Sequence, residues 1–144
     1  SGKRIMAQLN YEDVQVGDQL PEHVCGPISR ATLALFAGAS GDYNPIHIDS
    51  DFAKKAGMPD VFAHGMLSMA YLAQLLTNWV DQSQLREYGV RFTSIAPVLA
   101  TVTCKGRVVE KGEVDGEPCV KVEITAEVDD GTKTLVGDAV VGFS

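Results

Sequence analysis

The sequence predicts an α+β protein in which a curved antiparallel β-sheet wraps around one long central helix. Three observations lead there. First, the C-terminal half alternates with period two. Ala100, Val102, Cys104, Gly106 and Val108 share one face of a strand. Val120, Val122, Ile124, Ala126 and Val128 share a face of the next, and Leu135, Gly137, Ala139, Val141 and Phe143 line a last one. Second, Asp115-Gly116 and Asp130-Gly131 stand between these runs as hairpin turns, and strands joined by hairpins pair antiparallel. Third, Gly65 to Trp79 or Val80 reads as a helix with only Ser68, Gln74, Thr77 and Asn78 clearly polar. A helix apolar nearly all round is a buried one, and the apolar face of the sheet needs a cover.

The other elements follow in order. Residues 11–28 are mixed: Val14-Gln15-Val16 before Gly17-Asp18 suggests a short strand or turn, and Pro21 and Pro27 limit any helix. A helix begins after Pro27 with Ser29 as N-cap, carries Leu33, Phe36 and Ala37 at helical spacing, and ends near Ser40-Gly41. Asp42 to Asp51 is a loop stiffened by Pro45. Asp49 or Ser50 caps a short helix, Asp51 to Ala56, which Gly57 ends. Met58-Pro59-Asp60 is a loop before the central helix. Strand patterning resumes at Leu85.

At 144 residues the chain reads as one domain, 1–144, large enough for a core without disulfides. Ser1-Gly2 reads as a cloning remnant and residues 1–5 as lying before a natural start at Met6. No apolar run approaches the ~20 residues that span a bilayer, so no membrane partner is expected. No signal-peptide core is visible, and Cys25, Cys104 and Cys119 lack metal-type spacing. They read as reduced thiols of a cytoplasmic protein. With a net charge of −7, the chain lacks the basic footprint that nucleic acid requires.

The chemistry concentrates between Phe36 and Trp79. Asp42 and His47 lie five residues apart on the stiff loop, where a carboxylate beside an imidazole can share a water and exchange its proton. The plain alternative is that Asp42 ends the helix and His47 is a loop residue. His64-Gly65 stands at the start of the central helix. Free N–H groups there, with the positive end of the helix dipole, can hold a developing oxyanion, and a glycine lets a ligand approach the backbone. The alternative is a packing glycine. His47-x-Asp49-x-Asp51 with Asp42 and His64 nearby is a rival divalent-metal pattern, but Asp49 has a simpler task as helix cap, and no metal is expected. Tyr71, Trp79, Met58, Met66 and Met69 read as core, and His23 as a surface residue. Arg86 and Arg91 are phosphate contacts, or face solvent or a subunit partner.

Ser40-Gly41-Asp42-Tyr43-Asn44-Pro45-Ile46-His47, then sixteen residues (48–63), then His64-Gly65-Met66, resembles the MaoC-like hydratase family. That family includes (R)-specific enoyl-CoA hydratases and (3R)-hydroxyacyl-thioester dehydratases. VGDQLPE near the start and YGVRFTSIAPV after the helix are similar to it too. The likeness runs over nearly the whole chain and is sharpest from Phe36 to Pro97. It implies a hotdog fold, a homodimer with its acyl tunnel near the subunit interface, and hydration of trans-2-enoyl thioesters or the reverse dehydration in fatty-acid metabolism. By motif, Asp42 and His47 match the catalytic dyad, and Gly65 the glycine whose N–H binds the thioester carbonyl. Asn44, His64 and Met66 match supporting or substrate-binding positions. The substrate implied is an acyl-CoA, or an acyl carrier protein thioester. No cofactor is implied, because the thioester itself acidifies C2. One departure stands out: some members have a serine eight residues after the glycine, where this chain has Ala73. A hotdog thioesterase and a non-catalytic acyl-thioester-binding subunit share the fold and stand as alternatives.

Overall fold

The period-two pattern becomes five strands: β1 (His23–Cys25), β2 (Leu85–Phe92), β3 (Val102–Val114), β4 (Glu117–Glu127) and β5 (Lys133–Gly142). The computed structural model describes residues 8–144, so the readings of Ser1-Gly2 and Met6 lie outside the described residues. All five strands join one antiparallel sheet in the order β1-β3-β4-β5-β2. Val114 pairs with Glu117 around Asp115-Gly116, whose φ values of 52° and 79° are those of the tight turn that favours Asp-Gly. One face of the sheet is apolar and covered. The other carries Lys105–Glu127, Arg107–Glu123 and Lys121–Asp138 ion pairs, which keep that face in water and add little stability singly.

Three α-helices lie between β1 and β2 in the chain: α1 (Arg30–Ser40), α2 (Ser50–Lys55) and α3 (Gly65–Thr77). Ser29 caps α1 by accepting the Thr32 N–H, and Gly41, at φ 75°, ends it in the left-handed conformation. Asp49 caps α2 by accepting the N–H groups of Asp51 and Phe52. α3 lies across β1, β3 and β4 as the central helix of a hotdog arrangement. Leu72, Leu75 and Leu76 are fully buried against Val102, Cys104, Val108, Val122 and Ile124. α3 comes close to the sheet at Gly106 of β3, where a Cβ would stand 3.3 Å from Leu75 Cδ2 and, beside it, 3.2 Å from Leu20 Cδ2. Leu72→Ala is expected to cost ~2–5 kcal/mol in chemical denaturation, since a site gripped on all sides cannot collapse onto the void; a cost below about 1 kcal/mol would contradict a core role.

The structure corrects three readings. α3 stops at Thr77, with Asn78 as C-cap, instead of reaching Trp79 or Val80. It is also not enclosed all round. Leu67, Ser68, Leu72, Leu75 and Leu76 face the core, while Met66 is 58% exposed and Ala70 and Gln74 are open. The mixed segment hides β1, and His23 is part of it, half-buried, with Nε2 2.8 Å from Gln74 Oε1 and 3.0 Å from Cys25 Sγ. The three cysteines are free; burial pushes the Cys104 thiol up to about 12. No helix among the described residues is long and apolar enough to cross a membrane.

Candidate active site

Gly41 turns the chain out of α1 directly into a short, self-bonded loop. Asp42 Oδ1 accepts the Asn44 N–H at 3.2 Å, and Asn44 Oδ1 accepts the Ile46 N–H at 3.1 Å. Behind them the Asp42 N–H donates to Ser40 Oγ, whose hydroxyl donates to the Phe36 carbonyl. These successive side-chain-to-backbone turns lead into a 3-10 turn, Pro45–His47, and fix where His47 points.

His47 is nearly buried, at 9% exposure, and its ring is held from one side. Nδ1 lies 2.8 Å from the Phe62 carbonyl oxygen. A carbonyl can only accept, so Nδ1 carries a proton, and in the neutral form of the ring Nε2 is the bare acceptor. Nε2 faces Asp42 Oδ2 at 3.9 Å, too far for a direct hydrogen bond. The Asp42 carboxylate is half exposed.

His64 stacks on His47 with ring centroids 4.0 Å apart and meets Phe36 edge-on. It is 1% exposed, and its Nε2–H donates to the Asp42 carbonyl at 3.2 Å. Nδ1 is a buried acceptor without a partner among the described residues. Burial pushes the His64 pKa down, and the adjacent His47 adds to this, against the pull of the Asp42 carbonyl. A depressed folded-state value means that the unfolded chain binds the proton first as pH falls. The contribution of His64 to stability is therefore full above about pH 6.5 and is lost as pH falls toward the lower folded value. The thermal unfolding midpoint is expected to fall between pH 7 and 5, and His64→Gln to flatten that slope; an unchanged slope would contradict a neutral buried His64.

Gly65 is the first residue of α3, so its N–H is among the groups a helix start leaves unpaired. It is exposed beside the loop. A Cβ on it would lie 2.7 Å from Cε1 of Phe92 and 2.9 Å from its Cδ1. Thus Asp42, His47 and His64 converge on one another near the start of α3. Asn44 shapes the loop through its side chain, and Met66 is exposed next to Gly65. Arg86 is instead engaged with Glu117 at 2.8 Å, while Arg91 is exposed on β2. Asp42, His47 and His64 offer donor atoms within 4.8 Å of one another, a spacing compatible with a divalent ion; Asp49 is occupied as the cap of α2. A cavity of about 680 Å³ opens at the other end of α3, between Tyr11, Asn78, Trp79 and Phe143, and does not include these residues.

The family described as MaoC like domain matches residues 13–132. The chain belongs to this MaoC-like family. Over 109 residues it is 34% identical to the (R)-specific enoyl-CoA hydratase of Rhodospirillum rubrum, covering 70% of this chain and 73% of that protein. It is 30% identical over 131 residues to fatty acid synthase subunit beta of Saccharomyces cerevisiae. That match takes in 89% of this chain and only 6% of the much longer relative. Among solved structures, R-hydratase PhaJ1 from Pseudomonas aeruginosa superposes with a TM-score of 0.82 at 25% identity, over 93% of this chain and 84% of that one.

Of the residues singled out in the sequence, the structure brings Asp42, His47 and His64 together. Sequence reasoning missed two neighbours. The Phe62 carbonyl, which sets the His47 tautomer, is a backbone group without a residue signature. Phe92 sits in a period-two run, where it reads as an ordinary strand residue.

Proposed function

We propose that this MaoC-like chain adds water across the C2–C3 double bond of trans-2-enoyl thioesters, giving (3R)-hydroxyacyl thioesters, or catalyses the reverse dehydration. The observation that carries this reading is the pair of acceptors 3.9 Å apart, His47 Nε2 and Asp42 Oδ2, beside the start of α3. A water at ~2.8 Å from each donates one proton to the imidazole and one to the carboxylate. Its lone pairs are then left to attack C3. As oxygen bonds to C3 and loses a proton to the dyad, charge develops on the thioester oxygen as an enolate. The Gly65 N–H and the positive end of α3 face that charge. A proton returned to C2 completes addition of H and OH. The residues at work are Asp42 and His47 for proton transfer, Gly65 for the oxyanion, and Asn44 and His64 to hold the loop, with Met66 beside the substrate. The reaction draws on no cofactor.

The substrate is proposed to be an enoyl-CoA, in keeping with the similarity to an (R)-specific enoyl-CoA hydratase. The whole chain, 1–144, acts as one domain, and its free cysteines suit a reducing cytoplasmic setting. The active form is proposed to be a homodimer. Met66, Tyr43 and Phe92, 56–66% exposed, ring the site, and Ala70 beside them on the open side of α3 is apolar too. A second copy would cover this patch and turn an open surface into a tunnel. The test is loss of conjugated-thioester absorbance on adding the protein to crotonyl-CoA, with free thiol titrated in parallel. Hydration without thiol release is expected. Thiol release without hydration would favour a thioesterase, and binding without turnover a non-catalytic subunit.

A further inference from the structure

Phe92 is the last residue of β2, an edge strand of the sheet. Its ring is 56% exposed, although it is large and apolar. What it touches is Gly65: a Cβ there would fall 2.7 Å and 2.9 Å from two ring carbons and 3.5 Å from a third. The ring therefore occupies the space that any side chain at position 65 would need, on the exposed start of α3. The chain after β2 turns back to the same place, where the Ala63 N–H donates to the Ala96 carbonyl at 2.8 Å. Ile95, also exposed, lies in that returning segment.

From this geometry we infer that Phe92 determines specificity at the substituent on C2 of the thioester. The inference rests on the hydratase reading, in which the thioester carbonyl oxygen meets the Gly65 N–H. A carbonyl oxygen hydrogen-bonded to Gly65 sits ~2.9 Å from its nitrogen. Only the sulfur and C2 are bonded to that carbonyl carbon, so a ring packed on Gly65 meets the atoms next to the carbonyl and not the far end of the acyl chain. Hydrogen on C2 fits beside the ring. A methyl on C2 has to displace it, and one methyl group against an apolar pocket wall typically changes kcat/KM by about 10–200-fold. Phe92 thus sorts enoyl thioesters by branching, while acyl length is sensed elsewhere.

The test compares kcat/KM for crotonyl-CoA, 2-methylcrotonyl-CoA and trans-2-decenoyl-CoA in the wild-type chain, Phe92→Ala and Phe92→Leu. The wild type should prefer crotonyl-CoA to its 2-methyl derivative by about 10-fold or more. Phe92→Ala should shrink that ratio about 10-fold and leave the decenoyl-to-crotonyl ratio within about 3-fold of wild type. Phe92→Leu, which keeps the apolar strand end, should fall between and serves alone if the alanine variant does not fold. A branching ratio unmoved in the folded variants, or a length ratio that moves as far, overturns the inference and spares the hydratase reading. A wild type inactive on all three substrates overturns the hydratase reading, and this inference with it.

Discussion

Replacing Asp42 by Asn, or His47 by Gln, is expected to lower kcat/KM for enoyl-CoA hydration by about 10²–10⁴-fold, with secondary structure unchanged. The Asn substitution is chosen for what it preserves. Its side-chain oxygen can still accept the Asn44 N–H, so the loop turn survives. What it removes is the negative charge and one acceptor facing His47, putting an amide donor where a water proton has to go. Gln at 47 keeps a polar side chain near the Phe62 carbonyl but has no imidazole to take up and return a proton. Because the two groups are proposed to act on one water, the double variant should be scarcely slower than the worse single one. Multiplicative losses would mean that the two act independently, and full activity in either single variant would end the dyad assignment.

The second large effect is expected at Gly65, in a pair of substitutions. Gly65→Pro deletes the N–H, while Gly65→Ala keeps it and adds a similar Cβ. Proline suits the first position of a helix, because that N–H has no partner inside the helix. His64 before it has φ −57° and ψ 135°, which a following proline accepts. Both variants must push the Phe92 ring aside, a half-exposed side chain that can yield. The difference between them therefore isolates the donor. Gly65→Pro should be about 10²–10³-fold below Gly65→Ala in kcat, the usual loss for one oxyanion donor. Equal activities would place the enolate oxygen elsewhere.

Much of this molecule is legible in its sequence, for physical reasons. A strand with one wet and one buried face must alternate, so β3, β4 and β5 are visible directly. Ser29, Asp49 and Gly41 mark helix ends because caps demand those chemistries. β1 is not legible: three residues are too few to show a period, and its membership depends on pairing with Val102, Thr103 and Cys104, far along the chain. The extent of α3's burial is misread because an apolar helix surface does not say whether the fold or a second molecule covers it. At the site, the motif reveals which residues assemble but not their geometry. The self-bonded turns at Asp42 and Asn44 have a signature in Asp-Tyr-Asn-Pro. The Phe62 carbonyl that orients His47, and the stack of His64 on His47, arise only from tertiary packing.

The central claim is that one site, built from the 42–47 loop and the start of α3, adds water to an enoyl thioester with fixed handedness. Chiral analysis of the product that the wild-type chain forms from crotonyl-CoA tests it most directly. The account predicts the (3R)-hydroxyacyl-CoA; a (3S) product, or a racemic one, would contradict it.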